Sequence, residues 1–367
     1  LGLHSREREI HMTLILSNAD VEAVLSMKEC IEVLEDAYWD LAHGHGVSRT
    51  RSDSFSQTKR PDALYSLKSM DGIAPKLGVG AVRINSDIVT WPKAGNERRV
   101  KVPSAPNARY VGLVLLFSSE TGEPLAILPD GVMQRMRVGA ANALGAKYLA
   151  RASARRIGIL GSGWQAGAQL MGVCAVRDVE AINCFSPNQQ NREAFAQEWT
   201  IKLGVDVKAV DTPEEAIADA DIAICATNTI DNVFFQRWVR PGLHISSIKR
   251  PEVEAAAIAR ADLIVLHSND ATPAHLFTKG VTIPETAENK GWALGSEIAF
   301  DKLATLPELI AGQAPGRTRE DQVTCFLNNI GLGYQFAVCG ALVYRKAREI
   351  ALGFDVPTEW FTEDVHP

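Results

Sequence analysis

No apolar run in this 367-residue chain is long enough to cross a bilayer: the stretch Tyr110 to Phe117 falls well short of the roughly 20 residues that a membrane helix needs. A charged segment leading into an apolar signal core is missing too, and Leu1 to His11 reads as leader or vector-derived residues ahead of a fold starting at Met12. The six cysteines (Cys30, Cys174, Cys184, Cys225, Cys325, Cys339) form no CxxC and do not cluster with histidine, so they read as buried hydrophobes in a reducing compartment. His43 and His45 are the only closely spaced histidines, too few for a metal centre. Without a GxSxG elbow, a serine hydrolase has no nucleophile to build on. Positive charge is not in excess: 38 Lys and Arg stand against 44 Asp and Glu, with no basic block. The expectation is a cytoplasmic protein with neither nucleic acid nor membrane as partner and no metal.

What the chain does have is Arg156-Ile157-Gly158-Ile159-Leu160-Gly161-Ser162-Gly163-Trp164-Gln165-Ala166-Gly167, an apolar strand entering a glycine-rich turn and a helix. Gly161 permits the turn, Gly163 lets backbone N–H groups approach a pyrophosphate, and Ala166 is small enough for helix and strand to pack closely. The helix start adds unpaired donors and a positive dipole end. Downstream, strand-like runs at Val179 to Phe185, Val205 to Val210, Ile222 to Thr227, Leu243 to Ile248 and Leu263 to Leu266 alternate with helical spacing at Gln190 to Leu203 and Pro213 to Ala220. Short apolar strands separated by helices predict a Rossmann-type doubly wound parallel sheet that binds a dinucleotide.

The loop after the second strand reads Ser186-Pro187-Asn188-Gln189-Gln190-Asn191-Arg192, without the carboxylate that would accept from ribose hydroxyls. Ser186, Asn188 and Arg192 suit a 2′-phosphate instead, which favours NADP(H) over NAD(H).

The two ends of the chain must form a second unit. Ser26 and Glu29 open a helix that stops at Gly44, and strand-like runs follow at Leu64 to Met70, Leu77 to Ile84, Tyr110 to Phe117 and Leu125 to Leu128. Asp130 caps a hinge helix rich in small residues from Arg137 to Ala146, and Asp321 to Leu352 reads as one long helix with a possible break at Gly331 or Gly333. Its apolar face Phe336, Cys339, Gly340 and Val343 needs cover, which the N-terminal sheet can supply. Residues 12–145 with 319–357 are expected to form a discontinuous α+β substrate and dimerisation domain, and 146–318 the dinucleotide domain.

Cations stand in apolar surroundings on that second unit. Alternation puts Leu77, Val79, Ala81 and Arg83 on one strand face, and Arg137 shares its helix face with Met133, Ala140 and Leu144. Lys68 lies mid-strand, Arg49 and Arg51 precede the sheet, and Arg98, Arg99 and Arg109 around the Pro103 to Pro106 loop read as solvated in preference to extending the pocket toward a second anionic group. A converging set of this kind suits a small carboxylate held bidentately by arginine.

Met136-Arg137-Val138-Gly139-Ala140-Ala141, the Gly161 to Ala166 turn, Ala226-Thr227-Asn228-Thr229, Trp238-Val239-Arg240-Pro241-Gly242-Leu243-His244-Ile245 and Pro315-Gly316-Arg317-Thr318 together resemble the ornithine cyclodeaminase/mu-crystallin family. The resemblance implies a homodimer through the N-terminal sheet, a nicotinamide cofactor, and chemistry at the α-carbon of a small anionic imino or amino acid. The cofactor would lie on Gly161, Ser162, Gly163, Trp164, Gln165, Ala166, Thr227, Asn228 and Ser247, along with Ser186, Asn188 and Arg192. Its carboxylate-binding arginines fall on Arg49 and Arg137, and its pocket lysine on the position of Arg83.

Two family carboxylates have no counterpart. Lys68 replaces a glutamate of cyclodeaminases, and the segment Ser246-Ser247-Ile248-Lys249-Arg250-Pro251-Glu252 replaces an aspartate loop. Cyclodeamination needs such an acid/base group, whereas imine reduction needs a hydride, a bound carboxylate and a proton source. The sequence therefore implies an NAD(P)H-dependent reductase or dehydrogenase acting on a C=N or C–N centre, with Arg83 and Arg137 on the anion and Lys68 as proton donor, eased by neighbouring cations. The alternatives are a cyclodeaminase using Glu252 or Asp71, and a non-catalytic crystallin-like NADP(H)-binding protein.

Overall fold

The computed structural model describes residues 11–91, 100–104, 107, 109–229, 231–249, 252–269, 273–283 and 298–363. Arg98, Arg99, Arg250 and Pro251 lie outside the described residues. Two sheets organise the chain. In the first, strands run in the order Ala274–Phe277, Ser52–Gln57, Ala63–Ala74, Val79–Thr90, Val111–Ser118, Pro124–Pro129, Met12–Ile15, Phe354–Pro357, and all but two neighbouring pairs in that row are antiparallel. The second is parallel, in the order Asp206–Ala209, Ala181–Phe185, Arg156–Leu160, Ile222–Cys225, His244–Ser247, Thr324–Leu327, Leu263–Leu266, Ala304–Thr305. This is the doubly wound arrangement expected from the alternating pattern.

The long helix expected over Asp321 to Leu352 is instead a strand, Thr324–Leu327, followed by a helix, Gly333–Glu349. The strand is buried on both faces between two parallel neighbours, and such a run has no alternation to distinguish it from a buried helix. A second difference concerns Leu77 to Ile84: the strand is Val79–Thr90, and Leu77 lies exposed in a preceding 3-10 turn.

Helix Met27–Ala42 starts where Ser26 accepts from the Glu29 N–H, and the chain turns away at Gly44, whose φ of 74° suits glycine. Helix Gly333–Glu349 covers the inner face of the first sheet, burying Phe336, Cys339 and Val343 as their spacing requires. Helix Gly131–Leu149 joins the two sheets. It packs against helix Trp164–Val176 so closely that a Cβ at Gly139 would stand 2.4 Å from the Ala168 carbonyl. The outer face of the first sheet keeps Leu67, Ile73, Val111 and Leu113 exposed.

Candidate active site

A cleft of about 730 Å³ opens beside the glycine turn. Its described walls include Gly161, Ser162, Gly163, Trp164, Gln165, Ser186, Asn188, Asn191, Thr227 and Asn228, and none of the described lining residues carries a charged side chain. Gly161 has φ 122°, and a Cβ there would sit 2.2 Å from the Ala226 carbonyl, so this glycine belongs to the fold. Gly163 differs, because nothing lies within 4 Å of where its Cβ would be. It leaves open the N-terminus of helix Trp164–Val176, which has no side-chain cap. Free backbone donors, a positive dipole end and room for a phosphate fit a nicotinamide dinucleotide. Ala166 is fully buried, but the tightest approach on this helix is one residue later, where a Cβ on Gly167 would meet the Trp199 ring at 1.9 Å.

The loop after the second strand is tied down. Ser186 Oγ lies 2.8 Å from Ser162 Oγ, and the Asn188 side chain accepts from the Asn191 N–H as a helix cap. Arg192 does not line the cleft. It is buried, donates to the Asp211 carboxylate at 2.6 Å and lies over the Phe185 ring. Ser247 is also buried and bonds to the Lys249 carbonyl and to Glu252.

Glu252, one of the two carboxylates a cyclodeaminase would recruit, accepts five hydrogen bonds, from Thr227 N–H and Oγ1, Ser247 Oγ, and the N–H groups of Ile248 and Lys249. Burial pushes its pKa up, and those bonds oppose the shift. It clasps the loops below the cleft. Lys249 does similar work, donating to the carbonyls of Asn228 and Thr229. The other candidate, Asp71, pairs with Arg49 at 2.6 Å, and Arg49 is largely exposed.

Of the candidate cations on the first sheet and the joining helix, Arg49, Arg51, Lys68 and Arg83 each meet a carboxylate and Arg137 does not, among the described residues. Strand Val79–Thr90 buries Val79, Ala81, Arg83, Asn85, Asp87 and Val89 in alternation, so Arg83 lies within a polar segment and does not end the row. Arg83 donates to Asp130 at 2.7 Å through Nε, and its Nη2 lies 2.6 Å from the same oxygen, to which Asn85 also donates. Asp130 is expected from sequence to cap its helix; its side chain makes no cap bond, because the carboxylate is turned to Arg83 and Asn85. Lys68 lies 3.8 Å from Asp87, which Lys101 approaches to 2.9 Å. The Lys68 ammonium thus has one neighbouring cation, Lys101, and faces with it a carboxylate that the sequence reading did not include. Arg51 makes a two-pronged contact with the fully buried Asp53.

Arg137 is the exception. It is buried, shares the Phe336 ring with Arg83 at centroid distances of 5.0 and 5.3 Å, and has Gln335 as its side-chain hydrogen-bond partner at 2.9 Å. Its Nε has no partner. Burial, and then the Arg83 charge, bring its pKa down to about 10. A buried guanidinium satisfied only by a neutral amide is poised for an anion.

A second cavity, of about 890 Å³, is walled by Arg83, Asn85, Lys101, Arg109, Asp130, Gln134 and Trp164 among others. Trp164 also lines the dinucleotide cleft, and Gln165 donates to Gln134 at 2.9 Å across the junction. Arg135 lies 3.9 Å over the Trp164 ring and holds that shared wall. Reading the strand only as far as Ile84 missed Asn85 and Asp87, and the same alternation carried four residues further would have found both. Asp53, Lys101, Asn191 and Gln335 had no local signal.

The sequence model of the ornithine cyclodeaminase/mu-crystallin family matches residues 11–350. A Delta(1)-pyrroline-2-carboxylate reductase of Bacillus cereus is 32% identical over 247 residues, covering 66% of this chain and 73% of that protein. The structure of the Thermococcus litoralis Delta(1)-pyrroline-2-carboxylate reductase, in complex with NADH and L-proline, superposes with a TM-score of 0.77 at 29% identity over 94% of this chain and 100% of that one. An archaeal alanine dehydrogenase dimer with bound NAD shares the fold, with a TM-score of 0.74 at 24% identity over 94% of this chain and 99% of that one.

Proposed function

The chain belongs to the ornithine cyclodeaminase/mu-crystallin family, and from that premise we propose that it reduces the C=N bond of a small imino acid whose carboxylate is held by Arg137. It is an NAD(P)-dependent oxidoreductase acting on C=N or CH–NH groups. The observation that carries the Arg137 assignment is the buried guanidinium left without a carboxylate partner while Arg83, Lys68, Arg51 and Arg49 each have one.

Gly161, Ser162 and Gly163 would hold the pyrophosphate of a reduced nicotinamide dinucleotide, which would supply the hydride when bound. The protein's residues do the rest. Arg137 fixes the carboxylate, and Arg83, neutralised by Asp130, shapes the adjoining wall. Reduction also adds a proton to nitrogen. Lys68 is the proposed donor, with Asp87 and Lys101 linking it to the second cavity. A cyclodeaminase reading gains no support from Glu252 or Asp71, since both are engaged.

For the cofactor, the lack of any carboxylate among the described cleft residues supports acceptance of a 2′-phosphate and hence NADP(H). The exposed apolar outer face of the first sheet supports a homodimer, with a second copy covering Leu67, Ile73, Val111 and Leu113. The test is NADPH and NADH oxidation with Δ1-pyrroline-2-carboxylate, larger cyclic ketimines, and 2-oxo acids with ammonia or methylamine. Turnover is expected, and Arg137→Met should lower kcat/KM for the imino acid by about a hundredfold or more while leaving cofactor binding intact. Silence across the screen would end the proposal.

A further inference from the structure

The buried groups behind Arg137 form a chain with a single direction. Gln335 lies in the first turn of helix Gly333–Glu349 and is fully buried. Its Oε1 accepts from Arg137 Nη1 at 2.9 Å and from the Leu332 N–H at 3.1 Å. Its Nε2 donates to Tyr38 Oη at 2.8 Å and to the Arg137 carbonyl at 3.4 Å. A flipped amide would turn its NH2 group toward two donors, so this orientation is the one the surroundings allow.

Having accepted from Gln335, the Tyr38 hydroxyl has its own proton free to donate, and His267 Nε2 lies 2.7 Å away. That nitrogen must then carry the lone pair, and the Nδ1–H donates to the Ile330 carbonyl. Burial brings the His267 pKa down to about 4, so the ring stays neutral, as the arrangement needs. Every member has one role, and none can turn without stranding a buried polar atom.

The far end of this chain is anchored in the parallel sheet. His267 follows strand Leu263–Leu266, Ile330 follows strand Thr324–Leu327, and Asn329 binds the backbone N–H of His267. These are the carboxyl ends of adjacent strands, the side on which a doubly wound sheet presents its cofactor. The near end is Arg137, whose guanidinium rests on Phe336 and passes so close to Gly331 that a Cβ there would lie 2.4 Å from Nη1.

We propose that Gln335, Tyr38 and His267 are positioning residues that fix the direction of the Arg137 guanidinium and register the bound carboxylate against the dinucleotide sheet. The inference rests on the reading of Arg137 as the anion site. Its logic is geometric: an arginine with no carboxylate partner needs another device to hold its fork, and hydride transfer is sensitive to displacements of about 1 Å.

The decisive comparison uses Tyr38→Phe, which keeps the ring and removes the hydroxyl. Two readouts apply: the KM of the best imino acid from the screen, and calorimetric binding of pyrrole-2-carboxylate, a planar carboxylate that does not turn over. Tyr38→Phe and His267→Phe should each weaken both by about three- to tenfold, the worth of one buried neutral hydrogen bond, with the KM for NADPH unchanged. His267→Gln, which returns an acceptor to Tyr38, should recover most of the loss. Gln335→Glu should weaken both by tenfold or more, because its carboxylate would occupy Arg137 itself. Wild-type affinity in Tyr38→Phe and His267→Phe, with only the melting temperature lowered, would show the chain to be structural and overturn the proposal. Wild-type affinity in Arg137→Met would instead remove the anion-site reading beneath it.

Discussion

The dinucleotide cleft and the substrate side handle negative charge in opposite ways. The described walls of the cleft carry no charged side chain, and the donors they offer a phosphate are the backbone N–H groups at the open end of helix Trp164–Val176. The substrate side is dense with ions, yet Arg83 is neutralised by Asp130, Lys68 faces Asp87, and Arg51 grips Asp53. Arg137, by contrast with those three, has a neutral amide as its side-chain partner among the described residues. Backbone binding needs glycines at fixed spacing and little else. A working buried cation needs all its neighbours to be paired first, so that a single group remains free.

Four changes press on this contrast. The largest effect is expected on the ionic side, where Asp130→Asn removes the negative charge facing Arg83 and should cost about 3 kcal/mol of stability in denaturant titration. A loss under 1 kcal/mol would mean that Arg83 is not held by that pair. On the backbone side the two glycines should separate. Gly163→Val meets open space, so NAD(P)H binding should weaken by about ten- to a hundredfold while the melting temperature falls by no more than about 3 °C. Gly161→Ala, strained at φ 122° and against the Ala226 carbonyl, should instead destabilise the fold by about 2 kcal/mol. If Gly163→Val unfolded the protein and kept its affinity, the cleft would not be the cofactor site. The smallest effect concerns Asp211→Asn, which releases Arg192 and should raise the NADPH over NADH preference, measured as the ratio of KM values, by about threefold.

The contrast also explains what could be read from sequence. The glycine turn, the alternation behind the parallel sheet and the apolar face of helix Gly333–Glu349 are local patterns, and the structure contains all three. Charge pairing is not local. Asp130 stands before a helix and reads as its cap, although its carboxylate belongs to Arg83, 47 residues earlier. Arg192 opens a helix beside the phosphate loop and reads as a ligand, although Asp211 holds it from the next strand–helix connection. Gln335 is 198 residues from the arginine whose N–H it accepts. Thr324–Leu327 was illegible for another reason: four buried residues are too few to show any period.

That strand also constrains the order of assembly. It lies between His244–Ser247 and Leu263–Leu266, so both remain open edges until a segment made some 60 residues later arrives between them. A ribosome that has delivered the glycine turn and its first strands has therefore not yet delivered a closed sheet. The cofactor half must wait for the chain to pass Leu327, and a nascent chain halted earlier would present two unpaired strand edges to its neighbours.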